Sequence, residues 1–299
     1  MTENNSSNKG RLNGKVIIYT CLAVLFGAAF LVCAGTMIRD YMVQKEAEKQ
    51  FAEMSQNVVV TEAETETEVP TETEEPSIIE VLGIEVPQLA LDWEDLKEQN
   101  EDIYSWIYVP NTNVNYPVLQ HPTEHDYYLE YNIDHSKGRP GCIYTQRYNK
   151  TNYMDDNTVL YVHNMKNCTM FKTLHNYEDE EFFNENRYFF IYTPDSVLVY
   201  EVYAVTEFST EHILYKYDFT GESVITEYIE DIIEMNGDSS NNHYVEDSVV
   251  TEEDKLVTLS TCIYGRATDR WLVIGRLLAE EPMDYTAALA AASTETDTE

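Results

Sequence analysis

Residues Asp254 to Leu278, DKLVTLSTCIYGRATDRWLVIGRLL, constrain this chain more than any other stretch. Val257, Leu259 and Thr261 alternate with Thr258, Ser260 and Cys262, a period of two that predicts a strand. Trp271 to Leu278 is almost continuously apolar, as a strand buried on both faces should be. Gly265 and the polar run Arg266 to Asp269 supply loop chemistry between the two. A cysteine therefore stands at the end of one strand, and Arg270 at or near the start of the next. If the strands are neighbours, thiol and guanidinium point into one cleft.

A thiol attacks only as its thiolate, and an ordinary cysteine titrates at about 8.5. Attack on a carbonyl also needs a group that stabilises the oxyanion. Arg270 suits that role, since guanidinium stays charged and presents forked donors. The partner of the thiol is sought among the seven histidines. His163, in NTVLYVHNM, ends a predicted strand just before a loop, where a rigid element presents it to a cleft. His121, His125 and His135 lie in a polar, turn-rich stretch, and His175, His212 and His243 lack such a setting. No zinc site and no cofactor are expected. On these residues alone, a buried structural cysteine beside a surface arginine is the alternative.

The formal net charge of −35 argues against nucleic acid as a partner, because a phosphate backbone would be repelled. Much of that charge sits in two biased segments. Val16 to Ile38 carries no charge and is long enough to cross a bilayer as a helix. Lys9, Arg11 and Lys15 precede it, which predicts a cytoplasmic N-terminus (1–15), an anchor (16–38) and an exported body. A cleaved signal peptide is the alternative, although the apolar run is long for one. Tyr41 to about Gln56 is charged and helix-prone and reads as an extension of the membrane helix, and Thr61 to Pro76 is a Thr/Glu repeat with no core-forming residue except Val69. The stretch 39–83 is thus expected to be an acidic spacer, with a reach of roughly 35 Å if about forty residues are flexible. The tail, 280–299, is expected to be acidic and disordered.

The body, 84–279, opens on a helix signal with Asp92 as N-cap and Leu91 and Leu96 as a hydrophobic staple. Strand-like runs follow at Tyr104–Val109, Asn115–Gln120, Gly141–Thr145, Thr158–His163, Tyr188–Thr193 and Val197–Phe208. That density of short strands predicts a closed or nearly closed β-barrel. Val224, Ile225, Tyr228, Ile229, Ile232 and Ile233 recur at helical spacing, with Ser223 as N-cap, and read as a helix packed onto the barrel. Cys142 and Cys168 have no spacing that argues for a disulfide.

TLSTC at Thr258 to Cys262, an arginine shortly after and HNM upstream together resemble the sortases, cysteine transpeptidases of the Gram-positive surface. Asn115–Gln120, Asp126–Leu129, Gly141–Tyr144, His163–Lys166, Met170–Phe171 and Leu174 are similar to class B. So is the long helix-bearing segment before the cysteine strand. The resemblance covers roughly Leu89 to Leu278 and implies a barrel of about eight strands with an N-terminal helix. It departs from the class at Val162, usually Gly, at Gln146, where an acid is lost, and at His125, where an asparagine that can contact substrate is usual.

The resemblance implies that Cys262 attacks a threonine carbonyl in a sorting motif near a surface protein's C-terminus. Arg270 would steady the oxyanion, and His163 would protonate the leaving amine. Ser260, Thr261, Leu129 and His125 would contact substrate. A peptidoglycan precursor or stem-peptide amine would resolve the thioester, with a pilin lysine as the alternative acceptor. A membrane-anchored binding module that has lost catalysis is the reading from another class; intact Cys262, His163 and Arg270 argue against it.

Overall fold

The alternating and apolar runs become strands within a residue or two of their expected bounds, except the last, which is longer at both ends. The protein is described as a computed structural model over residues 14–58, 60–61, 77–165, 167–219, 224–237 and 239–296. In chain order the strands are β1 (Ile103–Tyr108), β2 (Asn115–Leu119), β3 (Ile143–Thr145) and β4 (Asn157–Tyr161). They continue as β5 (Tyr188–Tyr192), β6 (Ser196–Ser209), β7 (Leu256–Ile263) and β8 (Arg266–Pro282). The sheet order β8-β7-β4-β3-β2-β1-β5-β6 is closed by pairing of β8 with β6, giving an eight-stranded barrel. A two-residue strand, His243–Tyr244, pairs with β6 outside this ring.

Burial explains why the middle of β8, Trp271 to Ile274, is apolar on both faces. Trp271 and Val273 join the barrel interior, while Leu272 and Ile274 join a second apolar cluster outside it. That outer cluster holds Ile225, Tyr228, Ile229 and Ile232 of one helix. The apolar stripe at 224–233 is therefore a packing face, as the sequence suggested. Its expected N-cap, Ser223, lies outside the described residues.

Five helices matter here: α1 (Gly14–Asn57), α2 (Trp93–Gln99), α3 (Tyr127–Glu130), α4 (Val224–Asn236) and α5 (Tyr285–Thr296). In α2 the Asp92 carboxylate accepts from the Glu94 and Asp95 amides, and Leu91 and Leu96 are both buried.

Three segments differ from expectation. First, the helical extension expected from Tyr41 is present, but it packs on the barrel and is not part of a free spacer. The helix that begins at Gly14 runs on to Asn57, and Ala47, Phe51, Met54 and Val58 are buried. Their spacing of four, three and four puts one stripe against the barrel. Phe51 meets Tyr116 edge to face at 5.6 Å, and Ser55 Oγ donates to the Asn115 carbonyl at 2.7 Å. The Thr/Glu repeat, 62–76, lies outside the described residues. Second, Pro282 to Glu299 is not frayed throughout. Tyr285 of α5 is buried, packs 5.8 Å from Trp93 and donates its hydroxyl to the Thr193 carbonyl. An aromatic ring with a satisfied hydroxyl holds the tail down.

The third difference is local. Arg266 to Asp269, expected as loop, are strand residues. Gly265 at φ 80° makes the tight turn possible, and the ladder slips between Cys262 and Ile263.

The long apolar part of α1, Val16 to Ile38, leaves its large side chains exposed. It is the one described helix long and apolar enough to cross a membrane.

Candidate active site

Three adjacent strands bring the expected residues together. In the antiparallel pair of β7 and β8, Cys262 is the register partner of Arg270, so both side chains leave the same face. On the other flank β4 runs parallel to β7, pairing Leu256 with Asn157 and Ser260 with Tyr161. His163 lies two residues past the end of β4, where the Val162 amide still donates to the Ser260 carbonyl at 3.4 Å. Arginine, cysteine and histidine thus form a row across β8, β7 and the end of β4. All three line one cleft of about 320 Å³, together with Ser260, Thr261 and Leu129.

The backbone of Cys262 is held from beneath. Asn164 Nδ2 donates to the Cys262 carbonyl at 2.7 Å and also approaches His175 Nε2 at 3.1 Å. His175 Nδ1 faces the Glu178 carboxylate, which can only accept, so that nitrogen carries the proton. Nε2 lies within reach of both the Asn164 amide nitrogen, at 3.1 Å, and the Cys262 carbonyl oxygen, at 3.3 Å. The His175 ring lies flat against Trp271, with ring centroids 5.8 Å apart. Neither Asn164 nor His175 stood out as a site residue from the sequence. For Asn164 the available signal was its place in HNM.

His163 Nε2 lies 2.9 Å from the carbonyl of Leu129 on α3. A carbonyl only accepts, so the proton sits on Nε2 and Nδ1 keeps its lone pair in the neutral ring. Burial lowers the pKa of His163, and the nearby Arg139 charge adds to this; the Leu129 hydrogen bond opposes both. The ring is therefore mostly neutral at pH 7.

The wall facing this row was not legible as a unit. Asp126 Oδ1 accepts from Tyr144 Oη at 3.0 Å and from Gln146 Nε2 at 2.7 Å. Gln146 Oε1 accepts in turn from His212 Nε2 at 2.7 Å. Asp126, Gln146 and His212 all line the cleft. Burial lowers the pKa of His212, with Asp126 opposing. Gln146, where the sequence loses an acid, thus bridges an aspartate and a histidine.

Two expected substrate contacts sit differently. His125 stacks on Tyr148, with centroids 4.2 Å apart, and is absent from the cleft lining. Thr261 lines the cleft, but its hydroxyl is committed to the Val162 carbonyl at 3.2 Å. His121 and His125 are four residues apart, the spacing of a metal pair, yet His121 stacks on Tyr127 instead. Among the described residues no group of three His, Cys, Asp or Glu side chains could hold a metal ion.

The other arginines of β8 are already held by carboxylates. Arg276 pairs with Glu201 at 2.7 Å and Arg266 with Glu207 at 2.6 Å. The other thiols of the body lie outside the cleft lining. Burial pushes the Cys142 thiol well above its ordinary value, and Cys168 is exposed.

A sortase-domain family model matches residues 107–278, more than half of the chain. Sortase B of Listeria monocytogenes is 30% identical over 168 residues, 56% of this chain and 65% of that protein. The match thus spans slightly less than two thirds of that relative's length. Sortase B of Staphylococcus aureus is 28% identical over 188 residues, 62% of this chain and 74% of that protein. Among solved structures, Bacillus anthracis sortase B in complex with AAEK1 is similar at a TM-score of 0.59 and 28% identity. It covers 81% of this chain and 99% of its own. A Staphylococcus aureus sortase B–substrate complex gives 0.53 at 27% identity, covering 62% of this chain and 83% of its own. With the family match over most of the barrel, and class B relatives by both sequence and fold, the chain belongs to the sortase family and to its class B.

Proposed function

We propose that this protein is a membrane-anchored cysteine transpeptidase. It cleaves a C-terminal sorting motif after threonine and transfers the surface protein to a peptidoglycan amine. The observation that carries this reading is the row of Arg270, Cys262 and His163 in one cleft. Residues 84–279 form the catalytic body, 16–38 the anchor and 1–15 a cytoplasmic N-terminus. The exported side follows from the basic residues Lys9, Arg11 and Lys15 before the apolar run.

Catalysis follows from the chemistry of the three groups. The Cys262 thiol gives its proton to the lone pair on His163 Nδ1, and sulfur attacks the threonine carbonyl. Arg270, which lines the cleft with Cys262, donates to the oxygen as it becomes anionic. His163 passes the proton to the departing amine, leaving a thioester. Because burial keeps His163 neutral, it is set to accept a proton first and return it within the same step. Ser260 and Leu129 border the space that the motif would fill.

The test is turnover of sorting-motif peptides by the soluble body. Cys262→Ala should abolish cleavage, and His163→Ala and Arg270→Ala should each lower it about 10²- to 10⁴-fold. Near-normal turnover by Arg270→Ala would remove arginine from the proposed chemistry.

A further inference from the structure

Regular strand pairing gives out at the nucleophile, and side chains take over there. The Val162 amide donates to the Ser260 carbonyl at 3.4 Å, and the next step of that parallel ladder would bring the Asn164 backbone N–H to the Cys262 carbonyl. β4 has ended by then, at Tyr161, and the Asn164 side-chain amide reaches the carbonyl at 2.7 Å. On the other flank the ladder with β8 slips just beyond, between Cys262 and Ile263.

His175 and Glu178 stand behind the Asn164 amide. They lie three residues apart on a 3₁₀ helix, Phe171–Glu178, where side chains at such a spacing eclipse, so imidazole and carboxylate meet on one face. The helix is pinned to β8, because Trp271 Nε1 donates to the Leu174 carbonyl at 3.0 Å and the His175 ring stacks on Trp271. The His175 side chain is only 11% exposed, so its nitrogens must find partners within the protein. Nδ1 has Glu178, and Nε2 faces the Asn164 amide and the Cys262 carbonyl.

The Glu178 carboxylate keeps a proton on Nδ1 whether the ring is neutral or charged. Nε2 then acts on the Cys262 strand. Bare, it takes a hydrogen from the Asn164 amide, which has two, one for the ring and one for the Cys262 carbonyl. That bond decides which end of the amide faces the carbonyl, since a turned amide would set oxygen against oxygen. Protonated, Nε2 donates to the Cys262 carbonyl itself. Either way the ring bears on the backbone of the nucleophile.

We propose that His175 and Glu178 are a positioning pair, which acts through Asn164 and the Cys262 carbonyl to aim the sulfur at the threonine carbonyl. The inference rests on the transpeptidase reading above. Neither residue lines the cleft, so neither exchanges a proton with substrate. Their effect is geometric, and a displacement of about 1 Å at a reacting atom can cost about 10²-fold.

The test uses the full-length enzyme in detergent, a sorting-motif peptide and iodoacetamide. His175→Phe keeps a ring against Trp271 and removes both nitrogens. It should lower kcat for peptide cleavage about tenfold or more, with KM unchanged. Alkylation of Cys262 by iodoacetamide, a small reagent with no fixed approach, should keep its rate. His175→Gln, whose amide can reach Asn164, should restore most of kcat. Glu178→Ala should also lower kcat, and His175→Phe combined with it should be no slower than His175→Phe alone. If His175→Phe does not fold, Glu178→Ala at its partly exposed site decides: a lowered kcat supports the pair and an unchanged one overturns it. Unchanged kcat in folded His175→Phe, an equal loss in alkylation, or losses that add would each overturn the pair while leaving the transpeptidase reading intact. An unmodified enzyme that forms no acyl adduct on Cys262 would overturn both.

Discussion

Replacing Phe51 by alanine tests whether α1 is part of the folded body. Phe51 is 3% exposed and meets Tyr116 edge to face, with Met54 and Val58 buried on the same stripe. Truncating a buried phenylalanine costs about 3–5 kcal/mol. In a body of this size each kcal/mol lowers Tm by about 2–4 °C, so a drop of about 6–20 °C is expected if helix and barrel unfold together. A competing outcome limits that drop. Burying the three large side chains contributes about 1.5–3 kcal/mol each before the ordering of the helix is subtracted. A loss of the size expected for Phe51 therefore removes much of the docking energy, and the helix undocks before the barrel melts. The assay must then see both events. A soluble protein beginning at Arg39 should be melted by circular dichroism and cut with trypsin at native temperature. Phe51→Ala should lower Tm, or leave it and speed cleavage at Lys45 and Lys49, or do both. An unchanged Tm together with an unchanged cleavage rate would refute the docking.

Further expectations are more local. Asn164→Ala removes the donor to the Cys262 carbonyl, at a cost of about 1–3 kcal/mol in stability. It should also lower kcat for peptide cleavage by up to about 10²-fold if the nucleophile shifts by about 1 Å, read from steady-state kinetics beside a thermal melt. Burial lowers the pKa of His163 and of His212 below 6.5 in the folded chain, so between 6.5 and the folded values the unfolded chain binds more protons. Stability should therefore be independent of these groups above that window and fall as pH drops through it; melts at several pH values should show this, with a flatter slope for His212→Asn. Gly275→Ala should cost about 1–3 kcal/mol, because a Cβ there runs into the Phe189 ring and comes 3.1 Å from Tyr200 Cβ; urea unfolding measures it.

The row of Arg270, Cys262 and His163 was legible because its parts carry local signals. A period of two announces β7, a continuous apolar run announces a strand with cores on both sides, and strand ends carry Cys262 and His163. Arg266 to Asp269 misled because their polarity marks a loop, whereas a two-residue turn at Gly265 lets the strand start earlier. Phe51, Met54 and Val58 hold helical spacing in the sequence, but the charged residues between them gave the segment the look of a solvated helix. Their burial depends on Tyr116 and Asn115, some sixty positions away. The Asp126–Gln146–His212 wall is hidden for the same reason. Each residue is ordinary alone, and only barrel closure and the segment after β6 bring the three within hydrogen-bond range. The tail gave its one clue in Tyr285, a lone aromatic ahead of an alanine-rich run.

The most direct test of the central claim is the mass of the intact enzyme during turnover. The soluble body, mixed with a sorting-motif peptide and no added amine, should gain the mass of the peptide segment ending at threonine. Fragmentation should locate that mass on Cys262, and an added acceptor amine should discharge it. Cys262→Ala should neither gain the mass nor cleave the peptide. Cleavage without a covalent intermediate, or an adduct on Cys168 instead, would contradict a thioester mechanism at Cys262.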